Sequence, residues 1–147
     1  MTTDLVTLYV TFPNHDDASR ICTDLVAKDI IACANIIEGG QSLYKWDGVV
    51  SFENEVVVFM KTHRYRVEDA IERIKEMHSF DVPCITQLEI TGGNPDYLKW
   101  VENSVENYSL SKTGQKVNHD EYGEIQQDAT EVSDFHDKAE MVNFHGD

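Results

Sequence analysis

The sequence predicts an α+β sandwich, with helices laid on one face of an antiparallel sheet. Three observations carry this. Apolar residues alternate with a period of two in some stretches and recur at i, i+3, i+4 in others, and the order is strand, helix, strand, strand, helix, strand, helix. Asp47-Gly48 stands between the two middle strand patterns, and Asp-Gly suits a type I′ turn, which needs φ > 0 at both central positions. The connections between the other elements carry proline, glycine or capping residues where chain breaks are needed.

The elements follow in order. Val6, Leu8, Val10 and Phe12 alternate with Thr7, Tyr9 and Thr11 to give the first strand, which Pro13 ends. Asn14 is placed to cap a helix, and Asp16 and Asp17 follow in the first turn, where the helix dipole favours acids. Ala18, Ile21, Cys22, Leu25 and Val26 share one face of that helix, so Cys22 reads as a small core residue. The hairpin spans residues 31–62. Thr62 is expected to cap a second helix, whose apolar face is Val67, Ala70, Ile71, Ile74 and Met77. From spacing alone His78 reads as a surface loop histidine, since Pro83 forbids helix there. A short strand over residues 84–90 follows, and Asn94-Pro95-Asp96 starts a third helix with Tyr97, Leu98, Val101 and Val105 on one face. Two strand–helix–strand units in series, each with a right-handed crossover, make a split βαβ, ferredoxin-like sandwich with a long β-hairpin and a C-terminal helix.

The hairpin arms are about 14 residues each, or roughly 45 Å at 3.3 Å per residue. A domain of about 100 residues has a radius of gyration of only about 13 Å. The hairpin therefore overhangs its own domain, carrying Leu43, Tyr44, Trp46 and Phe52. Unpaired apolar ribbons invite aggregation and are usually covered, and a second subunit is the simplest cover. Tyr44, Trp46 and Phe52 are thus candidate subunit-interface residues. Gly39-Gly40 either ends the first arm or forms a bulge within it. Val56 to Met60 are apolar at five consecutive positions, which predicts a strand buried on both faces.

The chain has 147 residues and a net charge of −15. That charge argues against nucleic acid and anionic membranes as partners, and is compatible with cations. No segment has the 18 or so consecutive apolar residues of a membrane span, so direct insertion is not expected. Cys22, Cys33 and Cys84 are too few and too scattered for a disulfide framework, which points to a reducing compartment, the cytoplasm. The composition shifts near Glu106. Residues 1–105 read as one folded domain, and residues 106–147, with 10 acidic and 3 basic side chains, as an acidic tail that is disordered or loosely packed. No Cys-x-x-Cys, His-x-x-x-His or phosphate-binding glycine pattern is present, and no reaction is suggested.

Six segments taken together say more. They are Thr11-Phe12-Pro13; Cys33-Ala34-Asn35-Ile36; Ser42-Leu43-Tyr44-Lys45-Trp46-Asp47-Gly48; Glu55 with Lys61-Thr62; His78-Ser79-Phe80-Asp81-Val82-Pro83; and Gly93-Asn94-Pro95-Asp96-Tyr97-Leu98-Lys99-Trp100. In this order, over about residues 5–105, they resemble the CutA divalent-cation tolerance family. The resemblance implies the same ferredoxin-like fold, a homotrimer related in architecture to PII signalling proteins, and a non-enzymatic role in tolerance of copper or another divalent cation. It implies Cys33 and His78 as metal ligands, both of donor types that suit copper. An alternative is a PII-like small-anion sensor, or an adaptor for an unidentified protein partner, with Lys61 and Glu55 in a cleft between subunits. Where the family usually has His-Pro-Tyr, this chain has His78-Ser79-Phe80, losing a backbone constraint and a hydroxyl.

Overall fold

The computed structural model describes residues 3–112, with side chains as far as Glu106. The elements are β1 (Leu5–Phe12), α1 (His15–Ala27), β2 (Cys33–Trp46), β3 (Val49–His63), α2 (Val67–Met77), β4 (Ile85–Glu89) and α3 (Pro95–Lys112), with a short 3-10 turn at Arg64–Arg66 before α2. The sheet runs β2-β3-β1-β4, and every neighbouring pair is antiparallel. This is the ferredoxin-like split βαβ arrangement: β1 and β2 flank β3, and each crossover carries a helix.

The even-numbered positions of β1 and β3 build the main core. Val6, Leu8, Val10 and Phe12, with Val56, Val58 and Met60, meet Ala18, Ile21, Cys22 and Leu25 of α1 and Val67, Ala70 and Ile74 of α2. Burial pushes the Cys22 thiol up to about 12, so it is inert packing. Asn14 caps α1 as its position required, its Oδ1 accepting from the Asp17 N–H at 2.8 Å. Asn94 likewise accepts from the Asp96 N–H at 3.1 Å and starts α3. Thr62 does not cap the second helix. It is still in the strand, fully buried, and its hydroxyl donates to the Ile30 carbonyl at 2.7 Å. His63 caps the 3-10 turn instead, its Nδ1 accepting from the Tyr65 N–H at 3.3 Å.

The hairpin forms with the anticipated turn. Asp47 and Gly48 both take positive φ, 49° and 80°. Gly39-Gly40 does not end the first arm. The register shifts between Ile37 and Gly40, where Ile37 pairs with Val57 and Gly40 with Glu55. This is a bulge in one continuous strand, with Gly39 at φ 87°.

The second face of the sheet departs from expectation. Val56, Val58 and Met60 are buried against the helices, but Val57 and Phe59 on the other face are only half-buried. Full burial of β3 on both faces is therefore not reached within one protomer. Part of that face is covered by α3, whose Val101 and Val105 pack with Leu5 and Ala32. The helix continues to Lys112, past the composition change at Glu106, and the expected acidic tail beyond it lies outside the described residues.

Candidate functional site

The open face of the sheet is ruled by register. Cys33 pairs with Lys61, Lys61 with Thr7, and Thr7 with Leu88, so one row crosses all four strands. The next row holds Asn35, Phe59, Tyr9 and Thr86. Side chains paired across antiparallel strands project to the same face, so these two rows stand side by side on the face away from α1 and α2. Between them lies an open concavity of about 680 Å³, lined in part by Thr7, Asn35, Phe59, Lys61, Leu88 and Glu89. The Lys61 ammonium donates to the Asn35 side-chain oxygen. At the rim, the Arg64 guanidinium holds Glu89 in a two-point contact, which keeps the Glu89 carboxyl below its usual range.

Cys33 sits at one end of this face. Its sulfur shares a hydrogen bond with the Tyr97 hydroxyl of α3 at 3.3 Å, and the side chain is half-buried. Burial, and secondarily the Cys33 contact, raises the Tyr97 phenol above its ordinary value, so the phenol is a neutral hydroxyl.

His78 is placed elsewhere, and it is not a surface loop residue. It is 8% exposed. Its Nε2 donates to the Thr11 carbonyl at 2.9 Å, and its Nδ1 accepts from the Phe80 N–H at 3.0 Å. Its ring lies 5.0 Å from the Phe12 ring in a stacked arrangement and 5.0 Å from the Phe80 ring. Both nitrogens are thus committed, leaving no lone pair for a metal. Thr11 pairs with Val57 and Cys33 with Lys61, four positions apart along β3, or about 13 Å. The two also belong to opposite faces. A single metal centre built from Cys33 and His78 is therefore not formed in the protomer, because sequence order placed both on motifs but register set them at opposite ends of the sheet. Among the described residues no group of three or more His, Cys, Asp or Glu side chains is arranged to hold a metal ion.

The Lys61–Glu55 pairing is likewise not brought together within one protomer. They are six positions apart on β3, about 20 Å. Glu55 lies beyond the bulge and accepts from the Ser42 hydroxyl at 2.5 Å. Tyr44, next along the same face, donates its hydroxyl to Glu53 at 3.0 Å, which raises the phenol above its ordinary value.

Beyond the bulge the ribbon is bare. Leu43, Trp46 and Phe52 are 67%, 69% and 66% exposed, with Val49 and Val50 close behind, and Tyr44 is exposed to a lesser degree. Leu43 faces Phe52 across the strands and Trp46 faces Val49, so each face of the tip has its own apolar pair. The sequence reading missed Thr7, Phe59 and Leu88 as neighbours in a cavity. Only strand register joins them, and hydrophobic alternation does not specify register between distant strands.

The family model described as CutA1 divalent ion tolerance protein matches residues 6–104. Protein CutA, chloroplastic, of Arabidopsis thaliana is 35% identical over 102 residues, covering 69% of this chain and 56% of that protein. The chain thus spans just over half the length of that plant relative. Divalent-cation tolerance protein CutA of Pyrococcus horikoshii is 37% identical over 97 residues, covering 66% of this chain and 94% of that protein. The solved structure of the periplasmic divalent cation tolerance protein CutA from Archaeoglobus fulgidus superposes with a TM-score of 0.66 at 30% identity, over 69% of this chain and 98% of that one.

Proposed function

This chain belongs to the CutA1 divalent ion tolerance family, and from that membership we propose that it is a non-enzymatic divalent-cation tolerance protein, acting as a homotrimer and handling copper. The observation that carries the proposal is the match over residues 6–104, the whole sandwich together with its long hairpin. The bare apolar ribbon supports assembly, because a surface of that kind is stable in water only when covered. The name of the Pyrococcus horikoshii relative, divalent-cation tolerance protein, supports the role in ion handling. Three free cysteines support a reducing compartment such as the cytoplasm, against the oxidising periplasm named for one relative. Among the described residues, no helix is long and apolar enough to cross a membrane.

The ion is cargo here, and the donor set decides what one protomer offers it. His78 is committed to structure and no three-donor cluster is present among the described residues, so a preformed site in one protomer does not fit. Of the two ligands that the resemblance implies, Cys33 is the one left, half-buried and on the open face, and its thiolate suits copper. Further donors would then come from assembly.

The test is titration of copper into the full-length protein, its Cys33→Ser form and its His78→Ala form, followed by calorimetry and metal analysis. Saturable binding that weakens at least tenfold in Cys33→Ser, and is unchanged in folded His78→Ala, is the expected outcome. Absence of any saturable copper or zinc binding in the full-length protein would remove ion binding from the proposal.

A further inference from the structure

The entry to α2 carries a histidine whose contacts depend on its charge. We propose that His63 is an acid-operated latch: as a neutral ring it caps the 3-10 turn leading into α2, and as a cation it releases the turn and swings to the carboxylates of Asp4 and Glu102. The neutral half of the latch is in the structure. His63 is half-buried at the end of β3, and its Nδ1 accepts from the Tyr65 N–H at 3.3 Å. An N–H aimed at Nδ1 needs a lone pair there, so the ring carries its proton on Nε2. A second proton can go only onto Nδ1. It would face the Tyr65 N–H, donor against donor, and the cap would be lost.

The surroundings decide where the charged ring goes. Its centroid lies 3.8 Å from that of the Tyr65 ring. The Arg66 guanidinium already stands over the Tyr65 ring, 4.7 Å from its centroid. Arg66 is fixed, being 1% exposed and donating to Asp69 of α2 at 3.0 Å. Arg64, the other cation of the turn, is held by Glu89 of β4. A protonated His63 kept on the turn is therefore a third cation beside two fixed ones. The carboxylates belong to the other segments packed here. Asp4 precedes β1, and its carbonyl accepts from the Arg64 N–H at 2.8 Å. Glu102 follows Val101 on α3, which packs with Leu5, the strand partner of His63. Burial holds the imidazole below its ordinary value, Asp4 and Glu102 draw it up, and Arg66 and Arg64 press it down. A folded-state value below the unfolded one means that the cap is whole above about pH 6.5 and is lost as pH falls through the folded value. Every contact used lies within one protomer.

The experiment uses the full-length protein, labelled with ¹⁵N, in buffer passed over chelating resin, titrated from pH 8 to pH 5. The readouts are the His63 ring nitrogens, the Tyr65 amide resonance, and the protection of that amide from hydrogen exchange relative to an unstructured peptide at the same pH. At pH 8 the proton is expected on Nε2. As the ring titrates, the Tyr65 amide is expected to move with the same midpoint and to lose at least threefold in protection. His63→Asn keeps a side-chain oxygen that caps without titrating, so its Tyr65 amide should stay protected at both ends of the range. His63→Ala should leave that amide unprotected throughout, and the spectra show directly that both variants are folded. Glu102→Gln should lower the His63 midpoint further. Four results would each overturn the proposal: a proton on Nδ1 at pH 8, a Tyr65 amide that does not follow the ring, the parent's pH response persisting in His63→Asn, or a midpoint that does not fall in Glu102→Gln.

Discussion

His78 shows how a residue's chemistry is decided by what surrounds it. Its sequence neighbours gave no sign of burial, because burial comes from Phe12 and the Thr11 carbonyl, contributed by a strand more than 60 residues earlier. Asp24 shows the same in electrostatics. It accepts from Arg73 of α2 at 2.8 and 3.2 Å and from Lys28 of its own helix at 2.6 Å. The Arg73 hydrogen bonds first, and then that of Lys28, hold its carboxyl at about 2, below the ordinary aspartate value of about 3.9. A folded-state value below the unfolded one means that the stabilisation is complete above about pH 4 and is lost as pH falls toward 2. Asp24→Asn should therefore lower the melting temperature by a few degrees at pH 6, and melt with a shallower pH dependence between pH 4 and 2 than the parent. Parallel melting curves across that window would show that the α1–α2 bridge does not contribute.

Among the elements, the hairpin was the most legible and the open face the least. Asp47-Gly48 declared its turn, and the pair took the positive φ values that a type I′ turn requires. Capping at Asn14 and Asn94 was equally readable, since each cap is a local interaction of two or three residues. Thr62 is not legible in this way, because a threonine before a helical pattern looks like a cap whether or not the strand has ended. The bulge was one of two readings of Gly39-Gly40, and the structure gives the two glycines different jobs. Gly39 is needed for its φ of 87°, with open space around the position of a side chain. Gly40 is needed for room, since a Cβ there would lie 2.8 Å from the Glu55 carbonyl oxygen and 3.1 Å from Val57. Gly39→Ala should cost about 1 kcal/mol from backbone strain alone. Gly40→Ala should cost more, about 2–3 kcal/mol, because the partner strand must shift. Urea denaturation of both variants checks the ranking, and the reverse order would mean that the bulge yields more readily than its register implies.

At the scale of the whole molecule, the question is what covers the sheet and the ribbon. The sequence showed that two helices cover one face and left the other to self-association. The structure divides that second face between α3, packed through Val101 and Val105, and the exposed concavity and hairpin. How copies meet was not legible, since periodicity tells which residues are apolar and not which copy they face. The bare residues lie on both faces of the ribbon tip, Leu43 with Phe52 on one and Trp46 with Val49 on the other. A ribbon dressed on both sides is suited to insertion between neighbours, and flat side-by-side contact would leave one pair wet. Light scattering at micromolar concentration should therefore give a mass near three times the 16.8 kDa chain. Trp46→Glu should shift the protein toward monomer, because an interface tryptophan commonly contributes about 2 kcal/mol or more and the new carboxylate would be buried without a partner. Tyr44→Phe removes only a hydroxyl already satisfied by Glu53 within the protomer, so it should leave the mass unchanged. A monodisperse monomer in the parent protein, with an ordinary melting temperature, would show that the ribbon is stable uncovered and that assembly is not its purpose.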